Sequence, residues 1–324
     1  MEQKYVIGID MGGTNTAFGI VDARGEILSH GAIKTGKHDN IALYIDELYN
    51  GLIKLIEEAG GIEKIKGIGM GAPNGNFYTG NIEFAPNLPW KGVVPIANLL
   101  SEKFGVPAAV TNDANAAAVG EMIYGAARGM KDFIMITLGT GVGSGIVANG
   151  QLIYGHDGFA GELGHTTIIR DGRLCGCGKH GCLETYTSAT GVARTAKEIL
   201  ETRTEDSVLR KILLENITSK DVFDAAIAGD AIAKEIFEFT GKILGQAFAD
   251  FVAFSAPEAI ILFGGLTKAG DLILNPIRKS MEENLLKIWK GKIKLLFSAL
   301  SEADSAVLGA SALAWEIKEK ETVI

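Results

Sequence analysis

Phe133–Leu152 reads FIMITLGTGVGSGIVANGQL. An apolar run enters the glycine-rich turn Gly139-Thr140-Gly141-Val142-Gly143, a second apolar run leaves it, and Asn149-Gly150 marks a further turn. This spacing predicts strand, tight turn, strand. The amino terminus follows the same plan. Tyr5 to Asp10 is β-rich and ends in Asp10-Met11-Gly12-Gly13-Thr14-Asn15; strand character resumes over Thr16 to Val21 and turns again at Arg24-Gly25. A hairpin with a convenient Gly-Gly explains the first segment taken alone. Two such segments about 130 residues apart point instead to a duplicated α/β lobe, since the interval is far longer than a solenoid period.

Adjacent glycines let a backbone approach a ligand closely and present its N–H groups to phosphate without any basic residue nearby. Two such hairpins facing each other across a cleft would grip one nucleotide. Neither turn runs directly into a helix, as a dinucleotide fingerprint requires, and the chain has no GxxxxGK[ST] sequence. A Rossmann dehydrogenase and a Walker-type NTPase are both disfavoured. A third strand-to-glycine turn, Ala259 to Phe263 ending at Gly264-Gly265, would admit an adenine ring against bare backbone.

Between the hairpins, Leu48, Leu52, Leu55 and Ile56 carry helical spacing over Leu43 to Ala59, closed by Gly60-Gly61. Lys66 to Ala72 reads as a buried strand with a turn at Pro73-Asn74-Gly75. Asn87, in the rigid loop FAPNLPW, has the chemistry to read a polyhydroxylated ligand. The strand Ala108 to Thr111 delivers Asn112-Asp113-Ala114-Asn115 into an Ala-rich helix over Ala116 to Arg128. Asn and Asp are favoured helix caps there. Asp113 also suits a general base: a helix N-terminus favours its carboxylate, so it would act by position rather than by a raised pKa. Further on, Ala193 to Leu200 is helical, residues 203–218 read as a charged, solvated, peripheral stretch, and Ala231 to Phe254 has the pattern of a long buried helix. Helical sequence resumes near Leu272, and Ala303 to Lys318 is a closing helix with a small-residue face.

Glu162–Glu184, ELGHTTIIRDGRLCGCGKHGCLE, gathers two carboxylates, two histidines and all three cysteines of the chain. The spacing Cys-x-Cys-x4-Cys lets a loop turn Cys175, Cys177 and Cys182 toward one point. With His165 they form the Cys3His set that suits closed, tetrahedral, structural zinc. His180, inside the knuckle, competes for the fourth place. A disulfide would leave one thiol odd, and nothing else in the chain points to an oxidising compartment.

At 324 residues the chain has room for two domains or two lobes. Hydrophobic content of 47% with 22% charged residues is that of a soluble globular protein. A net charge of −8 without a dense Lys/Arg run argues against nucleic acid as a partner. The start MEQKYVIGIDMGG lacks a signal-peptide h-region, and no apolar run spans a membrane, so a cytoplasmic enzyme is expected.

The DMGGTN turn, the NDANAAA helix start, the LGTGVGSG turn and ExGH followed by CxCGxxGCxE together resemble the ROK family (repressors, open reading frames and sugar kinases), most of all its bacterial glucokinases. The resemblance runs from Asp10 to about Gly265 in the family's order. It implies an α/β, actin-like, hexokinase-type (ribonuclease H-like) fold of two lobes with an interlobe cleft: residues 1–115 plus 303–324 as a smaller lobe, and 116–302 as a larger lobe with the zinc loop and an oligomer surface. It implies ATP- and Mg2+-dependent phosphorylation of a hexose C6 hydroxyl by a homodimer or homotetramer. Asp113 would take the hydroxyl proton; Asn112, Glu162, His165 and Glu184 would hydrogen-bond the sugar, joined by Asn87. Asp10 would sit near the Mg-phosphate, with Gly12, Gly13, Thr14, Asn15, Gly139, Thr140 and Gly141 around the phosphates and Gly264 and Gly265 by the base. His165 is preferred to His180 as the fourth zinc ligand, because it alone would tie the metal to the sugar. The rivals are a kinase for N-acetylglucosamine, N-acetylmannosamine or several hexoses, and a sugar-sensing regulator. Family repressors carry an added N-terminal helix-turn-helix, for which a turn beginning at residue 10 leaves no room. One departure stands out: Asn74 follows Pro73 where many members have Gly.

Overall fold

The two glycine hairpins each seed a five-stranded mixed sheet, and the two sheets share one topology. The computed structural model describes residues 3–317. In the first lobe β1 (Tyr5–Met11), β2 (Asn15–Asp22) and β3 (Ile27–Lys34) form an antiparallel meander, followed by α1 (Ile41–Glu58) and β4 (Ile65–Ala72). The short strands β5 (Gly75–Asn76), β6 (Asn81–Glu83) and β7 (Val93–Val94) make a small separate sheet before α2 (Ile96–Phe104), β8 (Ala108–Asn112) and α3 (Asp113–Tyr124). The second lobe repeats the plan with β9 (Phe133–Leu138), β10 (Val142–Ala148) and β11 (Gln151–Leu152). It continues through α4 (Glu184–Thr187), α5 (Ala189–Thr202), α6 (Ser219–Ile227), α7 (Ala231–Ser255), β12 (Ala259–Phe263), α8 (Asp271–Asn284) and β13 (Lys294–Phe297), and α9 (Glu302–Trp315) follows. The orders β3-β2-β1-β4-β8 and β11-β10-β9-β12-β13 match strand for strand. In each, the hairpin strands are antiparallel and the two later strands parallel. The duplication expected from the two turns is present.

The inner strands β1, β4, β9 and β12 are near-continuously buried because each sheet is covered on both faces there, whereas the edge strand β3 alternates between half-buried and exposed positions. On the first sheet, Ile7, Ile9, Phe18 and Met70 pack with Tyr44, Leu48 and Leu52 of α1, and Val6 and Val21 pack with Val307 and Leu308 of α9. On the second, Ile134, Ile136 and Leu262 join Phe237, Leu244 and Phe248 of α7, and Phe133, Met135 and Ile261 meet Ala117 and Ala118 of α3. Helices α3 and α9 pack on each other between the two sheets, and they cross at glycine. A Cβ on Gly309 would fall 2.3 Å from Ala116 O, and one on Gly120 would fall 2.9 Å from the Gly309 Cα.

Several boundaries differ from expectation, α1 beginning at Ile41 rather than Leu43 and α5 running over Ala189–Thr202 rather than Ala193 to Leu200 among them. Helix α3 begins at Asp113 rather than Ala116, because Asn112 caps it, accepting from Ala114 N. It stops at Tyr124 rather than Arg128, where the fully buried Glu121 folds back to accept from Ala126 N at 2.6 Å. The stretch 203–218 is anchored rather than merely solvated, since Leu209 and Ile217 enter the second core. The closing helix ends at Trp315, and Lys318 lies outside the described residues. Among the described residues no helix is long and apolar enough to cross a membrane.

Candidate active site

Strand order brings the chemistry together. In the first sheet Asp10 of β1 and Thr111 of β8 both register with Gly71 of the intervening β4, and Asp113 follows at the start of α3. The missing side chain at Gly71 leaves the space between the two carboxylates: a Cβ there would lie 3.8 Å from Asp10 Oδ1 and 3.5 Å from Asp113 Cα. Burial, and after it the Asp113 charge, push the Asp10 carboxyl up to about 7. Asp113 is open to solvent in the cleft, yet the protein around it removes enough water to raise its pKa. Hydrogen bonding to Ala114 N, 2.8 Å from Asp113 Oδ1, pulls the other way and is outweighed. The helix N-terminus therefore does not hold Asp113 low, which corrects the sequence expectation. A raised carboxyl pKa makes a stronger base. Asn112 Oδ1 also accepts from Ala114 N at 2.8 Å, so its side chain caps the helix at the same place.

Glu162 lies on the second lobe within electrostatic reach of Asp113. Burial raises its pKa; His165 opposes this, and Asp113 and Glu184 add to it. His165 Nε2 is 4.0 Å from Glu162 Oε2, and its other nitrogen, Nδ1, is 3.7 Å from Cys175 Sγ. The ring thus stands between the carboxylate cluster and the thiols. Glu184, at the first position of α4, accepts from Val142 N at 3.0 Å and receives the Cys175 thiol at 3.6 Å. It is engaged with the second glycine turn and the cysteine loop.

The donor set fits a metal. One ligand atom each from His165, Cys175, Cys177 and Cys182 lie within 4.8 Å of one another. Cys177 Sγ and Cys182 Sγ are 3.7 Å apart. That is far beyond an S–S bond of about 2.05 Å, and it is close to the tetrahedral edge of about 3.8 Å that Zn–S bonds of about 2.3 Å generate. Burial pushes the Cys175 thiol up to about 12, so a cation is what would draw the proton off. His180 turns away, its Nδ1 3.0 Å from Gly172 O.

The glycine turns divide between two places. In the first, Gly12 N donates to Asn15 O at 2.9 Å, and Gly13 abuts Asn87, whose Cβ would be 3.2 Å from a side chain at 13. Thr14 O accepts from Thr35 N at 3.0 Å, leaving the exposed Thr14 and Asn15 side chains on the rim. In the second, Gly139 N donates to Gly141 O, and the start of α5 buttresses the turn: Ala189 N donates to Gly139 O at 2.8 Å and Thr190 Oγ1 to Thr140 O at 2.9 Å. Gly264 packs on the β9 end, a Cβ there falling 2.7 Å from Leu138 O. Gly139, Thr140 and Gly265 line one cavity of about 480 Å³ whose apolar wall includes Phe223, Phe237 and Leu266. Ser219, Lys220 and Asp224 of α6 also line it, residues that periodicity alone does not single out. The residues of the first turn do not line this cavity.

The sequence matches the description "ROK family" over residues 6–317. The chain is similar to the glucokinase of Halalkalibacterium halodurans, 39% identical over 99% of this chain and 97% of that one. It is similar to the glucokinase of Thermotoga maritima, 33% identical over 99% of both. Its fold matches the crystal structure of a ROK family glucokinase from Streptomyces griseus in complex with glucose and AMPPNP, at 34% identity, TM-score 0.80, covering 97% of this chain and 100% of that chain. With the paired mixed sheets, the carboxylates at the strand ends and the Cys3His loop all in place, the chain belongs to the ROK family.

Proposed function

We propose that the protein is an ATP-dependent hexose kinase that phosphorylates the C6 hydroxyl of glucose, with Asp113 as general base. The observation that carries this reading is the placement of Asp113: a carboxylate of raised pKa, at a helix start in the cleft, one strand from Asp10 and within reach of Glu162. Full-length similarity to glucokinases supports the substrate class. Asp113 takes the proton of the C6 hydroxyl as that oxygen bonds to the γ-phosphorus; the bond from phosphorus to the β–γ bridging oxygen breaks, and ADP leaves.

Asn87, Asn112, Glu162, His165 and Glu184 orient the sugar hydroxyls. Carboxylates and amides suit this task, because each wrong epimer leaves one of them unpaired, at about 1 to 3 kcal/mol. Gly12, Gly13, Thr14, Asn15, Gly139, Thr140 and Gly141 present backbone and hydroxyl donors to the phosphates, and the cavity beside Gly264 and Gly265 receives the base. Asp10 is the residue that would hold Mg2+, which when bound neutralises phosphate charge. His165, Cys175, Cys177 and Cys182 would hold structural zinc; four protein ligands leave no open position for water.

The lobe division we propose, 1–115 with 303–324 and 116–302, makes α3 a crossing element. The same reading makes the protein a cytoplasmic homodimer or homotetramer. A coupled ADP-release assay across glucose, mannose, fructose, allose, N-acetylglucosamine and N-acetylmannosamine tests the function. Turnover with glucose is expected to lead; no turnover with any of them would sink the reading.

A further inference from the structure

The hairpin that follows β4 reaches from the first lobe to the second. Asn74 takes a φ of 51°, the left-handed conformation that Asn accepts more readily than most other non-glycine residues. Its Nδ2 donates to Glu83 O at 2.9 Å, and Glu83 N donates to Asn74 O at 3.1 Å, which closes the neck of the hairpin built from β5 and β6. The tip of this hairpin meets residues 154–158 of the second lobe in three ways. Asn76, 2% exposed, donates from Nδ2 to Asp157 O at 2.7 Å and accepts at Oδ1 from Tyr78 N at 3.0 Å. Phe77 stacks on Tyr154 with ring centroids 4.1 Å apart and planes inclined by 7°. The Tyr78 hydroxyl donates to Gly155 O at 2.9 Å. The fit leaves no slack, since a Cβ on Gly158 would lie 2.4 Å from Asn76 Oδ1.

The loop held this way leads directly into the sugar side of the cleft. Ala160 N donates to Tyr154 O at 3.0 Å and closes its base, the Ser144 hydroxyl of β10 donates to Gly161 O, and Glu162 is the next residue. At the other foot of the hairpin, the chain runs through Phe84 to Asn87, which lies against Gly13. One hairpin therefore links Asn87 of the first lobe to Glu162 of the second. No residue of the hairpin lines the cavity beside Gly139 and Gly265.

We propose that the 74–83 hairpin is an interlobe tie and that Asn76 and Phe77 are positioning residues: they pin the 154–161 loop to the first lobe and so fix where Glu162 meets the sugar. This rests on the reading of Glu162 as a sugar ligand. The tie holds Asn87 and Glu162 near their working separation before the sugar arrives, which lowers the ordering cost of binding.

The variants Asn76→Ala, Phe77→Ala and Tyr78→Phe test it, the last removing one hydroxyl from a largely exposed side chain. In Asn76→Ala and Phe77→Ala the KM for glucose is expected to rise about tenfold, the equivalent of one lost buried contact, and in Tyr78→Phe about threefold. KM for ATP stays within about twofold, because the nucleotide side does not touch the tie. Amide hydrogen exchange over residues 154–163 accelerates while β1 and β9 keep their protection. A glucose KM within about twofold of wild type in both alanine variants overturns the proposal whatever the exchange shows. Matching rises in the sugar and ATP constants also overturn it, because they report general loosening. Should the wild type phosphorylate no sugar, the kinase reading fails, and unchanged exchange over 154–163 is then the result that removes the tie.

Discussion

Asp10 and Asp113 approach each other across Gly71, and the Asp113 charge adds to burial in lifting the Asp10 carboxyl to about 7. Two acids that resist ionising together need either a proton or a cation between them.

Asp113→Asn keeps the helix start, since Asn is an equally good cap, but removes the proposed base. Turnover should fall by at least about a hundredfold, while glucose binding measured by calorimetry survives. Near-normal turnover would remove Asp113 from the base role.

Asp10 sets a pH dependence. In the folded protein its carboxyl is pushed up to about 7 from the ordinary aspartate value of 3.8, so the unfolded chain releases this proton first. The associated stability is fully present below the unfolded value and is lost as pH rises toward 7. Metal-free protein should therefore melt lower at pH 8 than at pH 5.5, and Asp10→Asn should flatten that slope. Mg2+-nucleotide binding near pH 7 should release protons, so its affinity rises with pH; proton uptake in buffer-matched calorimetry would contradict this.

Metal analysis should find about one zinc per chain. Chelation, or Cys177→Ser, should raise the glucose KM through His165 and Glu184 and leave the ATP KM little changed. A zinc-free protein with full sugar affinity would end the zinc assignment.

At the crossing of α3 and α9, Gly309→Ala would set a methyl 2.3 Å from Ala116 O, against backbone that cannot rotate away. Chemical denaturation should show a loss of about 1 to 3 kcal/mol. The same change at Gly265, where a Cβ meets nothing within 4 Å, should leave stability unaltered.

The sequence made the local units legible because their signals are local. Apolar runs breaking at Gly12-Gly13, Gly139–Gly143 and Gly264-Gly265 marked three strand ends, and α7 was plain from its apolar spacing. Helix α6 was not singled out in the sequence, although Thr218 and Asp221 form a capping box at its start, and neither was its face toward the cavity beside Gly139 and Gly265. Nothing in Asn76-Phe77-Tyr78 announces a contact with residues 154–158, because the partner lies 81 residues away for Asn76 and 77 for Tyr78.

The sequence by itself determined that the lobe is duplicated, that three thiols and an imidazole belong together, and that Asn112 and Asp113 lie between a strand end and a helix; periodicity, spacing and capping are properties of neighbours along the chain. Only the tertiary structure decided that Asp10 and Asp113 flank Gly71, that the Asp113 pKa goes up rather than down, that His165 bridges thiols and carboxylates, and that a first-lobe hairpin holds the loop before Glu162. These depend on desolvation and on distances across sheets and between lobes, which the order of residues along the chain does not encode locally.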